Sequence, residues 1–292
     1  MSSVTIGIDL GGTQIKGVVA TWTGEVLRRE VRTANDDAVY ERTWSFIARN
    51  LAEHLGHDLA VGIAAPGLAA RDRRSIAILP KRLRGIEGLD WTTFLNREHV
   101  VPVSNDAHAA LAGEAWIGAA RGMQNAIMLT LGTGVGGAIL ADGKILRGHI
   151  GRAGHFGHTC LDVHGEPSIV GTPGALEDVI GNHNILARTD GRFATTHELV
   201  AAYRAYDDEA RRFWLTSIHA LACAIASFVN ILDPEAVIIG GGIAQAGDAL
   251  FTPLAEELAK IEWRPNERPV KIIPAALGEW AGAIGAARNA MP

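Results

Sequence analysis

Apolar and polar positions along the chain fall into two series that begin alike. Val4–Leu10 is an apolar, β-branched run that stops at Gly11-Gly12, the pattern of a strand entering a tight turn. Residues 15–20 and 25–33 continue as strands, and apolar residues at 39, 44, 47, 51 and 55 predict a helix over 37–55. Residues 59–64 return to strand. The second series opens with Ala126–Leu131, which ends in Gly132-Thr133-Gly134. Strands over 135–140 and 144–146 follow, joined at Asp142-Gly143, a hairpin turn signal. Strand, glycine-threonine turn, strand, turn, strand thus occurs at 4–33 and again at 126–147, which reads as a duplicated α/β unit.

Further along, residues 100–104 read as a strand and 107–118 as a helix. A wide apolar stripe predicts a long helix over 207–232. Strands at 236–239 and 270–273 and helices at 246–260 and 279–290 complete the series. No Pro/Ser-rich linker or charge run divides the chain, so the boundary near 105–107 follows from the repeat alone.

Composition narrows the function classes. The chain has 292 residues, is 48% hydrophobic and 20% charged, and carries a net charge of −5. These are values of an ordinary globular protein of one large or two medium domains. The acidic balance argues against a nucleic-acid partner, since phosphate backbones reward a basic face. Only two cysteines occur, Cys160 and Cys223, far apart, which points away from a disulfide framework and toward the cytoplasm. The start lacks a charged leader pattern, so no signal peptide is expected. The apolar stretch 218–232 is interrupted by His219, Ser227 and Asn230, so a core helix is expected there and no membrane partner. The basic segment 71–88 reads as a solvated loop or as the border of a pocket.

The glycine turns carry candidate chemistry. In Asp9-Leu10-Gly11-Gly12-Thr13-Gln14-Ile15-Lys16, paired glycines let backbone approach a phosphate. Thr13 offers a hydroxyl, Lys16 a positive charge, and Asp9 a carboxylate able to hold Mg²⁺ directly or through water. The same segment could be a plain hairpin turn. Gly132-Thr133-Gly134 repeats the arrangement. Neither turn is a Walker loop, and each leads into a strand, unlike a dinucleotide fingerprint. Gly240-Gly241-Gly242, after a strand and before a helix, suits a nucleotide's sugar and base, or is a simple connecting turn. Asp106, at a strand outlet where a helix N-terminus favours the charged carboxylate, is either a functional group or an ordinary N-cap.

Together these segments resemble the actin/hexokinase/Hsp70 superfamily and, within it, the ROK family of sugar kinases and sugar-responsive repressors. The resemblance rests on IGIDLGGTQIKG (6–17), GIAAPG (62–67), SNDAHAALAGE (104–114), LGTGVGGAI (131–139), GRAGHFGHT (151–159), ALE (175–177), VIIGGGIA (237–244) and ALGEWAGAIGAA (276–287). It implies an α/β fold of two ribonuclease-H-like (actin-like ATPase) domains with an interdomain cleft. The small domain would be 1–106 plus 279–292 and the large one 107–278. It further implies an ATP- and Mg²⁺-dependent hexose kinase of glucokinase type, with Asp106 as general base. Gly67, Asn105, Asp106, His155, His158 and Glu177 would contact the sugar. Asp9, Gly11, Gly12, Thr13, Lys16, Gly132, Thr133, Gly134, Gly240, Gly241 and Gly242 would serve ATP, its phosphates and Mg²⁺. A homodimer is expected by analogy.

Two departures qualify the resemblance. Position 155 is His where the family usually has Glu, and a neutral His donates one hydrogen bond and accepts one where Glu only accepts. N-acetylhexosamine, mannose and fructose therefore stay open beside glucose. Where many members hold structural zinc with the histidine and three cysteines, the aligned positions here are Ser168, Val170 and Ala175, so no structural zinc is expected. Cys160, Asp162 and His164 could form a different metal site, or be surface residues of a strand. The loop 159–175 must then be held by packing, by Pro167 and Pro173, or by a partner subunit. A repressor is disfavoured because no helix-turn-helix precedes Asp9. A non-catalytic assembly ATPase leaves the 105–106 and 157–158 segments without a purpose. Polyphosphate remains an alternative donor.

Overall fold

The computed structural model describes residues 3–34, 43–79 and 82–292. It contains two compact units: Met1–Gly122 with Ile145–Ala153 and Ala276–Pro292, and Met123–Lys144 with Gly154–Ala275.

In the first unit, β1 (Val4–Leu10), β2 (Gln14–Thr21) and β3 (Val26–Thr33) form an antiparallel meander. After α1 (Thr43–Gly56) come β4 (Ala60–Ala65), the short pair β5 (Leu68–Ala69) and β6 (Ile76–Ile78), α2 (Trp91–Phe94), β7 (Val103–Asn105) and α3 (Asp106–Ile117). The sheet order is β3-β2-β1-β4-β7, with β1, β4 and β7 parallel. Alternation along β1 sends Ile6 and Ile8 into a core with Trp44, Leu51 and Trp91. Residues 37–42 of the expected first helix lie outside the described residues, as do Pro80 and Lys81 of the basic segment; the described helix runs over Thr43–Gly56. The strand expected over 100–104 is confined to Val103–Asn105. Pro102, without an N–H, cannot donate to a ladder, although its carbonyl accepts from Ile63 N at 2.9 Å.

The second unit repeats the layout. It runs through β8 (Ala126–Leu131), β9 (Val135–Ala141), β10 (Lys144–Ile145), α4 (Leu176–Ile180), α5 (Ile185–Arg188), α6 (Thr196–Arg204), α7 (Asp208–Leu232), β11 (Ala236–Gly240), α8 (Asp248–Ile261) and β12 (Lys271–Pro274). Its sheet order, β10-β9-β8-β11-β12, reproduces that of the first sheet strand for strand. Helix α7 has the length and apolarity to cross a membrane, yet its apolar stripe packs on α4, α6 and α8. The helix expected from 246 begins instead at Asp248, after a 3₁₀ turn over Gly242–Ala246.

The chain closes with α9 (Ala281–Asn289), which returns to the first unit. A Cβ at Gly7 of β1 would stand 1.9 Å from Ala283 O, one at Gly62 of β4 2.1 Å from Ala286 O, and one at Gly285 1.7 Å from Ala109 O of α3. Backbone meets backbone on both sides of α9. For this reason α3 belongs to the first unit, which runs past the boundary expected at 106. Thr5 Oγ1 donates to Ala287 O at 3.0 Å, and the buried Glu114 of α3 accepts from Leu277 N at 2.9 Å.

Gly285→Ala has no room except by separating α9 from α3. We expect it to destabilise the protein by about 1–3 kcal/mol, the range for overpacked interiors, read as a lowered melting temperature in thermal unfolding.

Candidate active site

In the first unit, β1 ends by presenting Asp9 opposite Lys16 of β2 and beside Ala64 of β4. The turn between the two strands is closed by Gly11 N donating to Gln14 O at 2.9 Å, and Ala34 N donates to Thr13 O at 2.9 Å. Lys16 is not free: its Nζ lies 2.8 Å from Oε2 of Glu279 and donates to the Glu279 carbonyl at 3.3 Å. The first turn of α9 closes over Asp9, since a Cβ at Gly282 would stand 2.5 Å from Asp9 Oδ2.

The strand-to-helix junction at β7–α3 settles which residue caps. Asn105 is the N-cap: its Oδ1 accepts from Ala107 N at 3.0 Å and His108 N at 3.2 Å. Its Nδ2 donates to Gly67 O at 3.0 Å. Gly67 adopts φ +95°, where an L side chain is strained and would also meet Ile78 O. The Asn105 amide is therefore nearly consumed in positioning, with one amide hydrogen left for a ligand. Asp106 is the first helical residue, not the cap, and it is exposed; its Oδ1 accepts from its neighbour Ala107 N at 2.8 Å. Burial, and then the like charge of Asp106, push the Asp9 carboxyl up to about 7, against a downward pull from Lys16. The buried Asp9 carboxyl is a hard-oxygen donor of the kind that fits a divalent cation such as Mg²⁺.

In the second unit the turn after β8 is tied down by residues that the sequence reading did not single out. Asn182 N donates to Gly132 O and His183 N to Thr133 O, each at 2.9 Å. The His183 ring lies with Nδ1 2.8 Å from Thr133 O and Nε2 3.0 Å from Asp178 Oδ1. Their signal in the sequence is Asp178 and the polar run Asn182-His183-Asn184, a few residues after Ala175-Leu176-Glu177. No atom lies within 4 Å of where a Cβ would stand on Gly132 or Gly242, so both turns leave their backbone open. Gly241, at φ +86°, brings the third glycine turn against the second: its Cβ would stand 2.3 Å from Leu131 O.

Of the residues expected at the sugar, His155, His158 and Glu177 share this unit with that turn, whereas Gly67, Asn105 and Asp106 belong to the first. Nδ1 of His158 lies 3.2 Å from Oε1 of Glu177, within ion-pair reach but not aligned as a hydrogen bond. The pairing holds His158 above the ordinary histidine value and Glu177 below the ordinary carboxylate range, in each case against burial. The other oxygen of Glu177 faces Gly134, where a Cβ would stand 2.7 Å from it. His155 stacks on His158, with ring centroids 6.2 Å apart and planes inclined by 25°.

The segment 159–175 is a backbone-bonded hairpin. Leu161 N donates to Gly174 O at 2.9 Å, Leu176 N to Thr159 O at 3.0 Å and Ser168 N to Thr172 O at 2.8 Å, with Pro167 bridged to Pro173. Of the alternative ligand set, Asp162 Oδ1 accepts from His164 N at 2.9 Å, and among the described residues no three His, Cys, Asp or Glu side chains gather as a metal site.

Comparison with known proteins shows the family. A family model described as the ROK family matches residues 5–291. A glucokinase of Halalkalibacterium halodurans is 32% identical over 317 aligned positions, covering 96% of this chain and 92% of that protein. An N-acetylmannosamine kinase of Shigella boydii is 30% identical over 291 positions, covering 97% of each. Among solved structures, a ROK hexokinase from Thermus thermophilus superposes with a TM-score of 0.83 at 29% identity, covering 98% of this chain and 97% of that one. A ROK family glucokinase from Streptomyces griseus, in complex with glucose and AMPPNP, superposes with a TM-score of 0.77 at 26% identity, covering 97% and 98%.

Because the folded state keeps the Asp9 proton up to about pH 7 while an unfolded aspartate loses it near 3.8, folding gains from this group at low pH and loses that gain as pH rises through 7. In metal-free buffer containing a chelator, the melting temperature should therefore fall between about pH 4 and 7 from this group, and Asp9→Asn should flatten that slope. Equal slopes in the two proteins would refute this account of Asp9.

Proposed function

The chain belongs to the ROK family, and from that premise we propose that it transfers the terminal phosphoryl group of ATP to the 6-hydroxyl of a hexose, with Asp106 as general base. The observation that carries the reading is the β7–α3 junction, where Asn105 takes the capping work and leaves the Asp106 carboxylate exposed beside the buried Asp9. One Asp106 oxygen is occupied by Ala107 N, which fixes the side chain's direction and leaves the other for the hydroxyl proton. As the sugar oxygen bonds to the γ-phosphorus, the bond to the ADP oxygen breaks and the hydroxyl proton passes to Asp106. Because such transfers pass through a loose transition state, the weight falls on positioning and on phosphate charge.

The open turns at Gly132-Thr133-Gly134 and Gly240-Gly241-Gly242, with Gly11-Gly12-Thr13, let the backbone approach the nucleotide and its phosphates. Lys16 serves the phosphates once it exchanges Glu279 for them. Asp9 would hold Mg²⁺, which when bound neutralises phosphate charge. The donor assignment draws on the AMPPNP complex of the S. griseus glucokinase. Asn105, Gly67, His155, His158 and Glu177 are assigned to the sugar, with the ion-paired Glu177 charged and able to accept from hydroxyls.

Glucose is the acceptor suggested by the glucokinase relatives. A second acceptor, N-acetylmannosamine, is favoured by two observations. The N-acetylmannosamine kinases align over 291 positions, nearly the length of this chain, whereas the glucokinases need 312–317. And His155, stacked on His158, can both donate and accept, so it can meet an amide group where a Glu could only accept.

A coupled ADP-release assay over a hexose panel tests the reading. We expect turnover on hexoses bearing a free 6-hydroxyl, with N-acetylmannosamine or glucose preferred. Asp106→Asn should lower kcat by about 10²–10⁴-fold, the usual contribution of a general base, with an unchanged melting curve. His155→Glu should shift kcat/KM toward glucose. Full turnover by the Asp106 variant would overturn the assignment.

A further inference from the structure

Outside the residues assigned to phosphoryl transfer, helices α7 and α8 bring a thiol, an imidazole and a carboxylate into line. His219 and Cys223 are four residues apart on α7 and so share one face, one turn from each other. Cys223 Sγ lies 3.6 Å from His219 Nε2, and His219 Nδ1 lies 2.8 Å from Oε2 of Glu257 on α8. Lys260 Nζ lies 2.5 Å from the other Glu257 oxygen. Lys260 and then His219 hold the Glu257 carboxyl below its ordinary range, so it stands as an anion beside the ring. An anionic neighbour at Nδ1 selects the tautomer with the proton there, which leaves Nε2 as an acceptor facing the thiol. Nucleophile, base and orienting carboxylate follow one another as in activated-nucleophile sites. The His219 side chain is 57% exposed and Cys223 is half-buried, so small solutes reach the group.

We propose that Cys223, with His219 as its base and Glu257 as the positioning residue, is a modification site that undergoes exchange with low-molecular-weight disulfides. His219 Nε2 takes the thiol proton and the Cys223 thiolate attacks one sulfur of the disulfide. A new S–S bond forms at Cys223, the reagent's S–S bond breaks, and its second sulfur leaves as a thiolate that takes the proton from His219. The protein thiol is oxidised to a mixed disulfide while half of the reagent is reduced to a thiol, so electrons and protons balance. The chain carries its own comparison: Cys160 is exposed, but its thiol has no polar partner among the described residues.

The test measures second-order rates at pH 7 on the native full-length protein. Each thiol is isolated in turn as C160S or C223S, with DTNB and with oxidised glutathione, and the adduct is located by mass spectrometry. Cys223 should react about tenfold faster than Cys160, the gain expected from a neighbouring base that takes the thiol proton as the sulfur attacks. In the C160S background, H219N and H219Q should bring Cys223 down to the rate of Cys160. E257Q, which can still accept from Nδ1, should keep most of the rate, and E257L should lose it. Kinase activity and melting curves confirm that each variant is folded. A Cys223 rate at or below that of Cys160, or a rate that neither His219 variant changes, overturns the proposal.

Discussion

Everything near Asp106 depends on one constraint: α9 lies against the first sheet and against α3 with backbone touching backbone at three glycines. Gly7, Gly62 and Gly285 make this possible, because at each of them a methyl group would overlap a carbonyl of the opposing element. Such contact fixes relative position far more tightly than interlocking side chains, which can change rotamer. It locks the end of β1 and the start of α3 to a common support. Asp9 and Asp106 are thereby held close enough to repel, and the first turn of α9 is laid over the Asp9 carboxylate.

Near Gly67 and around the turn after β8, polar side chains position backbone before they could meet any ligand. Asn105 caps α3 and ties it to Gly67. His183 clamps the carbonyl of Thr133 and is itself held by Asp178. Glu177 faces Gly134 while pairing with His158. These bonds keep turns of little side-chain bulk in one conformation, which an open glycine loop would not hold unaided. The two halves reach this by different residues on the same sheet order, as expected of a duplicated unit whose loops have diverged.

Much of this was legible in the sequence because its signals are local. Two apolar β-branched runs ending in Gly-Gly or Gly-Thr-Gly gave both meanders, and the stripe on α7 gave the long helix. The shortest elements escaped for equally local reasons. Helix α2 rests on the Asp90 cap of a single turn, and β5 and β6 are too short to show alternation. Helix α6 had a readable start, since Thr195 caps Glu198 N while Glu198 reaches back to Ala194 N. The choice between Asn105 and Asp106 as cap could not be made from residue type, as both are good caps. The pairing of Lys16 with Glu279 joins distant ends of the chain, which no local pattern reports.

The hairpin at 159–175 has a consequence for how the molecule meets its surroundings. Its rungs are main-chain amides and two prolines, with Ser168, Val170 and Ala175 where many relatives place thiolates. Its shape therefore draws on the main-chain hydrogen bonds of its own strands. What governs it is the same melting equilibrium that governs the helices beside it, so its hold on His158 and Glu177 lasts as long as the surrounding unit does.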